Sequence, residues 1–457
     1  MVTAIVVIVI ITALVFDFTN GFHDSANAMA TSVATGAFKP KVAVLIAAIL
    51  NFVGATISVE VALTISKGMV DDTLVTPQAV FAGLAGAILW NLVTWLLGLP
   101  SSSSHAMFGG LIGAVIASAG LAGVHPGVIV SKILLPALVA PLVAGLASML
   151  ATRVAYRVTD HTARHSAAVF RNGQRISASM VAMAHGTSDG QKTMGIITLV
   201  LVAGKFQEAG TPPQWWVIVA AALAIALGTY SGGWRIMRTM GKRLVDIQPP
   251  QGFAAESSAT VAILASAHLG FGLSTTHVAS GAIIGSGLGS RAKVNWTIAR
   301  QMLFAWLLTL PAAGIVGALA SLITKTGNLG FGVVMILLAA ASVAILVRAN
   351  QSKVSHDNVV DDEEAPASEE LTGLARWRTF GAGHITPIMV IDGIAWTNPG
   401  DRVSHEVGMT ARAEASEESR TAYGEGDTTM VMVAGEADED EEETPESDRE
   451  HTLQMGD

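Results

Sequence analysis

The sequence predicts an all-α polytopic membrane protein with about 10–12 transmembrane helices. The helices are expected in two inverted repeats with broken helices at the centre, followed by a disordered acidic C-terminal tail. Three observations carry this reading. Of 457 residues, 51% are hydrophobic and only 14% are charged, against about 25% charged in an average soluble domain. The charge is also unevenly placed: residues 1–350 hold 20 Lys/Arg against 10 Asp/Glu, and residues 351–457 hold 7 against 26. Finally, an ordered pair of polar motifs occurs twice.

Apolar segments run over 3–18, 41–62, 78–99, 106–122, 127–151, 193–204, 215–232, 253–273, 278–289, 298–323 and 329–348. A helix rising 1.5 Å per residue needs about 20 residues to cross roughly 30 Å of hydrocarbon. Residues 2–16 are apolar, but no Lys or Arg precedes Lys39 and no small-x-small site follows, so they read as an uncleaved first helix. The absence of Cys removes disulfides, thiolate metal sites and Cys nucleophiles. The chain divides into a first repeat at 1–151, a basic connection at 152–176, a second repeat at 177–350 and the tail at 351–457. The acidic runs of the tail are low in aromatics and cannot bury enough apolar area to offset chain entropy. The stretch Ile385–Trp396 is more apolar and could dock locally.

Basic residues cluster in particular connections: Arg153, Arg157, Arg164, Arg171 and Arg175; then Arg235, Arg238, Lys242 and Arg243; then the pairs Lys39/Lys41 and Arg291/Lys293. The positive-inside rule places all four in the cytoplasm. Lys67 is offset by Asp71 and Asp72, and the 323–329 connection is short, which suits the outside. The N-terminus is then outside and the tail cytoplasmic, in a cell membrane.

The first polar cluster is Gly21-Phe22-His23-Asp24-Ser25-Ala26-Asn27-Ala28, and the second is His185-Gly186-Thr187-Ser188-Asp189-Gly190-Gln191-Lys192. Superimposing Asp24 on Asp189 places Asn27 on Lys192 and Met29 on Met194. Each is followed by a hydroxyl-rich break ending in His. Ser101-Ser102-Ser103-Ser104-His105 ends 81 residues after Asp24, and Ser274-Thr275-Thr276-His277 ends 88 after Asp189. The charge pattern makes the Asp24 segment run inward and the Asp189 segment outward, which is the inverted-repeat plan of secondary transporters.

Ionisable groups at membrane depth cost several kcal/mol and face a cavity or a partner. Asp24 and Asp189, expected on related broken helices, suit a small hard cation or a proton. Hydroxyls and freed N–H groups at a helix start suit a tetrahedral oxyanion. Cation beside oxyanion is the arrangement symport needs. A single Ser run is more often a packing feature, and duplication in matched context reverses that reading. His105 and His277 read as structural, orienting the hydroxyl loops. His23 and His185 read equally as proton relays or metal ligands and as buried, hydrogen-bonded histidines. Asp17 reads as an interface residue, and Trp90, Trp95, Trp215 and Trp216 as membrane-interface or packing residues.

At these residues the sequence resembles the inorganic phosphate transporter (PiT) family, over roughly residues 5–348. The patterns G-x-[NH]-D-x-A-N and H-G-x-x-D-x-Q-K-x-M-G appear as G-F-H-D-S-A-N and H-G-T-S-D-G-Q-K-T-M-G, with S-S-S-S-H, S-T-T-H and Gln251-Gly252-Phe253-Ala254-Ala255-Glu256. The resemblance implies that both Asp motifs and both hydroxyl loops line one central site. It assigns phosphate to Asn27, Ser103, Ser104, Gln191, Lys192, Thr275 and Thr276. It assigns the coupling cation to Asp24, Asp189, Glu256 and Asn51, with His23, His105, His185, Ser188 and His277 in support. His23 and Ser188 stand where many members have Asn, and Asn51 where many carry a Glu matching Glu256. The G-F-H-D form is similar to the bacterial low-affinity branch, which implies proton coupling and carriage of neutral metal–phosphate complexes. Lys192 could hold phosphate or pair with a carboxylate.

The expected function is therefore secondary active import of inorganic phosphate by cation symport, proton favoured, through alternating access. Sodium coupling, or transport of sulfate or another oxyanion, is the alternative within the class. A membrane-embedded hydrolase is the competing class; no H-E-x-x-H motif accompanies the Ser, His and Asp residues, and a duplicated constellation suits transport better. Nothing resembles a channel selectivity filter. The partners are inorganic phosphate, a coupling cation and the lipid bilayer, with no nucleic acid, no cofactor, no resident metal and a homo-oligomer left open.

Overall fold

The computed structural model describes residues 2–71, 73–159 and 163–359, with three short strands further on. A helical unit extends to Asp362. Its helices are α1 (Val2–Ala34), α2 (Pro40–Ala55), α3 (Glu60–Gly68), α4 (Pro77–Leu96) and α5 (Ser103–Ala119). A short α6 (Pro126–Ile129) passes through a π turn at Val130–Leu134 into α7 (Leu135–Thr159). Then come α8 (Ala163–Ala203), α9 (Trp215–Ser231), α10 (Trp234–Arg238) with a second π turn at Thr239–Arg243, α11 (Pro249–His268), α12 (Thr275–Ser290), α13 (Trp296–Thr324) and α14 (Asn328–Asn350).

The solvent logic of a soluble protein is inverted here. Asp17, Asp24, Asp189, Lys192 and Glu256 are all buried, whereas Leu138, Leu142, Leu307, Ile315 and Leu329 are more than half exposed. This is the pattern for a chain solvated by lipid, where polar groups are satisfied inside the bundle. Five helices among the described residues are long and apolar enough to cross a membrane, or seven if two bent pairs each count as one span. Other helices fall outside that test because they are short, like α5, or carry charge inside the protein, like α8.

Broken helices are present, but not where the polar clusters suggested. α1 and α8 run unbroken through Asp24 and Asp189. The sharp bends lie in their neighbours: 68° between α2 and α3, and 60° between α9 and α10. Helix packing explains this, since the continuous helices are clamped by the elements that bend. α1 packs on α9 while α2 packs on α8. A Cβ on Gly21 would lie 2.3 Å from the Ile225 carbonyl oxygen, and one on Gly186 would lie 2.2 Å from that of Asn51. The peripheral contacts match in the same way, α5 against α13 and α12 against α7. There Gly113 faces Gly314 and Gly285 faces Gly145, with virtual Cβ to carbonyl distances of 2.0 Å in both.

The 152–176 stretch, expected as a connection, is largely helical: α7 reaches Thr159 and α8 starts at Ala163. The basic 233–243 stretch is likewise helical, through α10 and its π turn. The expected tail begins with a docked segment. Arg235 donates to the carbonyls of Ala349 and Ser352, Arg238 donates to the Asn358 carbonyl at 2.5 Å, and Val359 is buried. The acidic runs expected to be disordered lie outside the described residues. By itself, the second unit contains β1 (Arg376–Arg378), β2 (Ile388–Ile391) and β3 (Ile394–Trp396) in one antiparallel sheet of order β1-β2-β3. β2 and β3 fall within the apolar Ile385–Trp396 stretch.

Glycine at the helix crossings is therefore a steric requirement. Gly285→Val or Gly113→Val should destabilise the protein by about 1–3 kcal/mol or more through overpacking. Gly332→Ala on α14, where a Cβ meets nothing within 4 Å, should instead be neutral or stabilise by up to about 1 kcal/mol. Thermal denaturation midpoints in detergent would measure all three.

Candidate functional site

The site is built where α1 and α8 meet the starts of α5 and α12. Ser102 and Ser274 cap these helices by the same bond, each hydroxyl accepting from a backbone N–H three residues on, that of His105 at 3.1 Å and His277 at 3.3 Å. Ser, as N-cap, uses its oxygen to satisfy one of the orphan amides at a helix start. Of the next two residues of each helix, Ser103, Thr275 and Thr276 turn their hydroxyls to the carboxylates, and Ser104 turns its hydroxyl to Lys192.

Asp24 is held by both halves of the chain. Its Oδ1 accepts from Ser103 Oγ at 2.9 Å and Thr276 Oγ1 at 3.4 Å, and lies 2.6 Å from His23 Nδ1. Thr275 Oγ1 is 3.5 Å from Asp24 Oδ2 and 3.5 Å from Asp189 Oδ2. His185 Nε2 lies 3.9 Å and 3.6 Å from the same two oxygens. Lys192 Nζ donates to Asp189 Oδ1 at 2.6 Å, Ser104 Oγ at 2.6 Å and the Leu273 carbonyl at 2.8 Å. Asn27 Nδ2 donates to Thr276 Oγ1 at 3.0 Å and Thr275 Oγ1 at 3.3 Å.

Asn27 and Lys192, at superimposable positions in the two motifs, thus each reach across to the other half's hydroxyl loop. Lys192 pairs with a carboxylate in this structure. Ligand atoms of Asp24, His185 and Asp189 lie within 4.8 Å of one another. His185 Nε2 has no hydrogen-bond partner. Two carboxylates and an imidazole nitrogen around one point are a suitable donor set for a cation.

Several sequence-assigned residues stand apart from this cluster. Gln191 is occupied elsewhere: its Oε1 accepts from Val61 N–H at 2.8 Å, at the start of α3, and its amide donates to the Thr187 carbonyl at 2.5 Å. Glu256 sits in its own nest, accepting from Thr31 at 2.6 Å, Gln174 at 3.1 Å and Ser177 at 2.5 Å. Asn51, on α2, does not share the kind of surroundings that Glu256 has on α11. Instead Asn51 Oδ1 is 3.1 Å from His185 Nδ1, and its amide donates to Thr229 at 2.7 Å. It orients the histidine. Ser188 is buried with its hydroxyl unpartnered.

His105 and His277 touch each other edge to face at 4.8 Å, and His277 lies on Trp306 at 4.2 Å. Both open onto an apolar crevice of about 710 Å³ lined by α7 and α13 residues such as Leu138 and Leu307. This suits a structural part, as does the Trp306 Nε1–H bond to the Pro100 carbonyl at 3.0 Å, which ties α13 to the hydroxyl loop.

Sequence reasoning missed Thr94, 3.3 Å from His23 Nε2, and the Gln174 and Ser177 donors around Glu256; it had Ser101 and Thr31 within the polar clusters but not their partners, His23 Nε2 at 3.3 Å and Glu256. Thr94 carried a signal, a hydroxyl in an otherwise apolar helix; Gln174 and Ser177 sit in a polar, basic stretch that hid them. Gly186-Thr187-Ser188-Asp189-Gly190 also has the G-x-S-x-G form. A nucleophile elbow requires a strand-to-helix turn, and this pentapeptide sits inside the unbroken α8.

Comparison with known proteins agrees with the geometry. Residues 20–317 match the Phosphate transporter family. A "Probable low-affinity inorganic phosphate transporter" of Mycobacterium leprae is 52% identical over 374 residues, covering 81% of this chain and 90% of that protein. One of Bacillus subtilis is 42% identical over 321 residues, covering 69% and 95%. A solved structure, "The sodium-dependent phosphate transporter", shares the fold with a TM-score of 0.63 at 22% identity, covering 71% of this chain and 99% of its own. The chain is a multi-pass membrane protein of the phosphate transporter family, a transporter rather than an enzyme.

Proposed function

We propose that this protein imports inorganic phosphate by symport with a cation, a proton before sodium, through alternating access. The observation that carries the proposal is the double occupancy of the hydroxyl donors. Ser103, Thr275 and Thr276 donate to Asp24, and Thr275 also lies against Asp189. An oxyanion needs these same donors and is repelled by these same carboxylates. A cation on Asp24 and Asp189 removes the repulsion and frees the hydroxyls together, so each ion favours the other. Phosphate then binds Ser103, Ser104, Thr275 and Thr276 at the starts of α5 and α12, where helix dipoles favour an anion, with Asn27 and Lys192 on either side.

The matched pairings α1–α9 with α2–α8, and α5–α13 with α12–α7, support an inverted repeat in which α1–α7 and α8–α13 are the halves. The basic clusters support an outside N-terminus and a cytoplasmic tail. The set Asp24, His185 and Asp189 also suits a divalent ion, which favours carriage of a metal–phosphate complex as a second form of the substrate. The similarity to inorganic phosphate transporters of Mycobacterium leprae and Bacillus subtilis supports phosphate over sulfate.

Uptake of labelled phosphate into proteoliposomes tests the reading, with proton and sodium gradients imposed separately and with or without Mg²⁺. Asp24→Asn and Asp189→Asn should each lower uptake about tenfold or more, as expected for charge-assisted bonds of roughly 1.5–3 kcal/mol. Uptake unaffected by either change, or driven equally by sulfate, would overturn it. Lys192→Met should leave Asp189 buried without its counter-charge, at a cost of about 3–5 kcal/mol. Adding Asp189→Asn to that variant should recover part of the thermal stability without recovering uptake.

A further inference from the structure

Asp17 lies seven residues before Asp24, two turns back along α1. The sequence reads it as an interface residue; the structure buries it completely, at 0% exposure. Neither of its carboxylate oxygens has a hydrogen-bond partner. Asn20 from the next turn of α1 and Thr193 from α8 face it without reaching hydrogen-bond geometry. Asn20 Oδ1 and Thr193 Oγ1 are themselves buried and unpartnered. Three oxygen-bearing side chains from two helices therefore converge on one pocket of unmet polarity, separate from the carboxylate cluster already described. Buried polar groups are ordinarily hydrogen-bonded, so such a concentration of exceptions points to a missing species.

The surroundings narrow down what that species is. The charged groups bearing on Asp17 are Asp189 and Lys192, both on α8. The flanking helices α4 and α9 carry no charged residue. Lys192 is already engaged by Asp189, Ser104 and the Leu273 carbonyl. An isolated carboxylate out of water must be neutralised by a bound cation or a proton. A hard metal ion takes about six or more oxygen ligands, and in membrane proteins many of these come from carbonyls of unwound helices. α1 and α8 are unbroken here, so their carbonyls are committed to their own helices. A proton needs only one acceptor, and Asn20 Oδ1 and Thr193 Oγ1 offer two.

We propose that Asp17 is the site of an exchangeable proton that travels with phosphate, held as a carboxylic acid whose O–H donates to Asn20 Oδ1 or Thr193 Oγ1. This rests on the symport reading and adds a carrier to it. The step is a simple association of a proton with a carboxylate and consumes nothing else. Its link to the substrate runs through Lys192. An ionised Asp17 competes with Asp189 for the Lys192 charge, whereas a protonated Asp17 leaves Lys192 on Asp189 and Ser104. The protonation state of Asp17 thereby sets how firmly α8 holds the hydroxyl loop at the start of α5.

Infrared difference spectra of the purified protein, recorded on exchange into heavy water, test the site directly. The carbonyl stretch of a protonated carboxylic acid should appear in wild type, vanish in Asp17→Asn and persist in Asp17→Glu. In proteoliposomes with a trapped pH dye, Asp17→Asn should lower the number of protons entering per phosphate, and Asp17→Glu should restore it. An identical carboxylic acid band in wild type and Asp17→Asn would overturn the proposal, even if that variant transports nothing. So would an unchanged proton-to-phosphate ratio in Asp17→Asn. Wild-type phosphate uptake driven by neither a proton nor a sodium gradient would instead overturn the symport reading, and the infrared band would still decide whether Asp17 carries a proton.

Discussion

Two carboxylates held against one hydroxyl set the terms for the rest of this structure. Asp24 and Asp189 come from distant parts of the chain, yet each has an oxygen 3.5 Å from Thr275 Oγ1. In a low-dielectric interior two like charges at this range repel strongly. The fold answers with His23 on Asp24, Lys192 on Asp189 and His185 between them. Holding that arrangement requires α1 and α8 to be rigid and closely clamped, which is why they remain continuous and why glycines mark their crossings with α9 and α2. The breaks are displaced outward, to the bends that follow α2 and α9.

The helix starts supply the complementary half of the chemistry. A serine cap at Ser102 and another at Ser274 fix the first turn of α5 and α12, so the next two hydroxyls point to a shared centre. This local geometry follows from capping alone and would form in any helix with that start. Its function comes from what it faces. Donors that would bind an anion in isolation here bind the carboxylates of their own protein, and any anion must displace them. On the symport reading proposed above, coupling between ions of opposite sign would need no moving part at the site beyond side-chain exchange.

Much of this was legible in the sequence because membrane burial makes polar residues conspicuous. Asp24, Asp189, Lys192 and the Ser/Thr runs stand out against apolar helices, and their repeat order identified both the pairing and the family resemblance. The connectivity of the supporting groups was not legible. Gln191 belongs to the motif but caps α3, because on a helix its side chain leaves on a different face from Asp189 and Lys192. Asn51 and Glu256 looked like equivalents, yet their partners differ: His185 and Thr229 for one, Thr31, Gln174 and Ser177 for the other. Asp17 passed as an interface residue because burial at a helix crossing depends on the partner helix, here α8, which is remote in sequence. The broken helices were expected at the polar clusters, where propensity is weakest, and tertiary packing moved the breaks elsewhere.

The difference between Asn27 and Lys192 is the last element of the design. The two residues are equivalent by motif, and both reach into the opposite hydroxyl loop. One is neutral and the other positive, so a geometrically matched site is electrically lopsided. Lys192 satisfies one carboxylate, and Asp24 is left to histidines and hydroxyls. With neutral histidines the central set carries one uncompensated negative charge, which a single monovalent cation would cancel. A fully symmetric site with two lysines would attract phosphate without any cation, and one with two asparagines would need a second. On the symport reading, the difference between one amide and one ammonium therefore bears on how many coupling ions the centre would take, and it leaves the matched helix pairings around the centre unchanged.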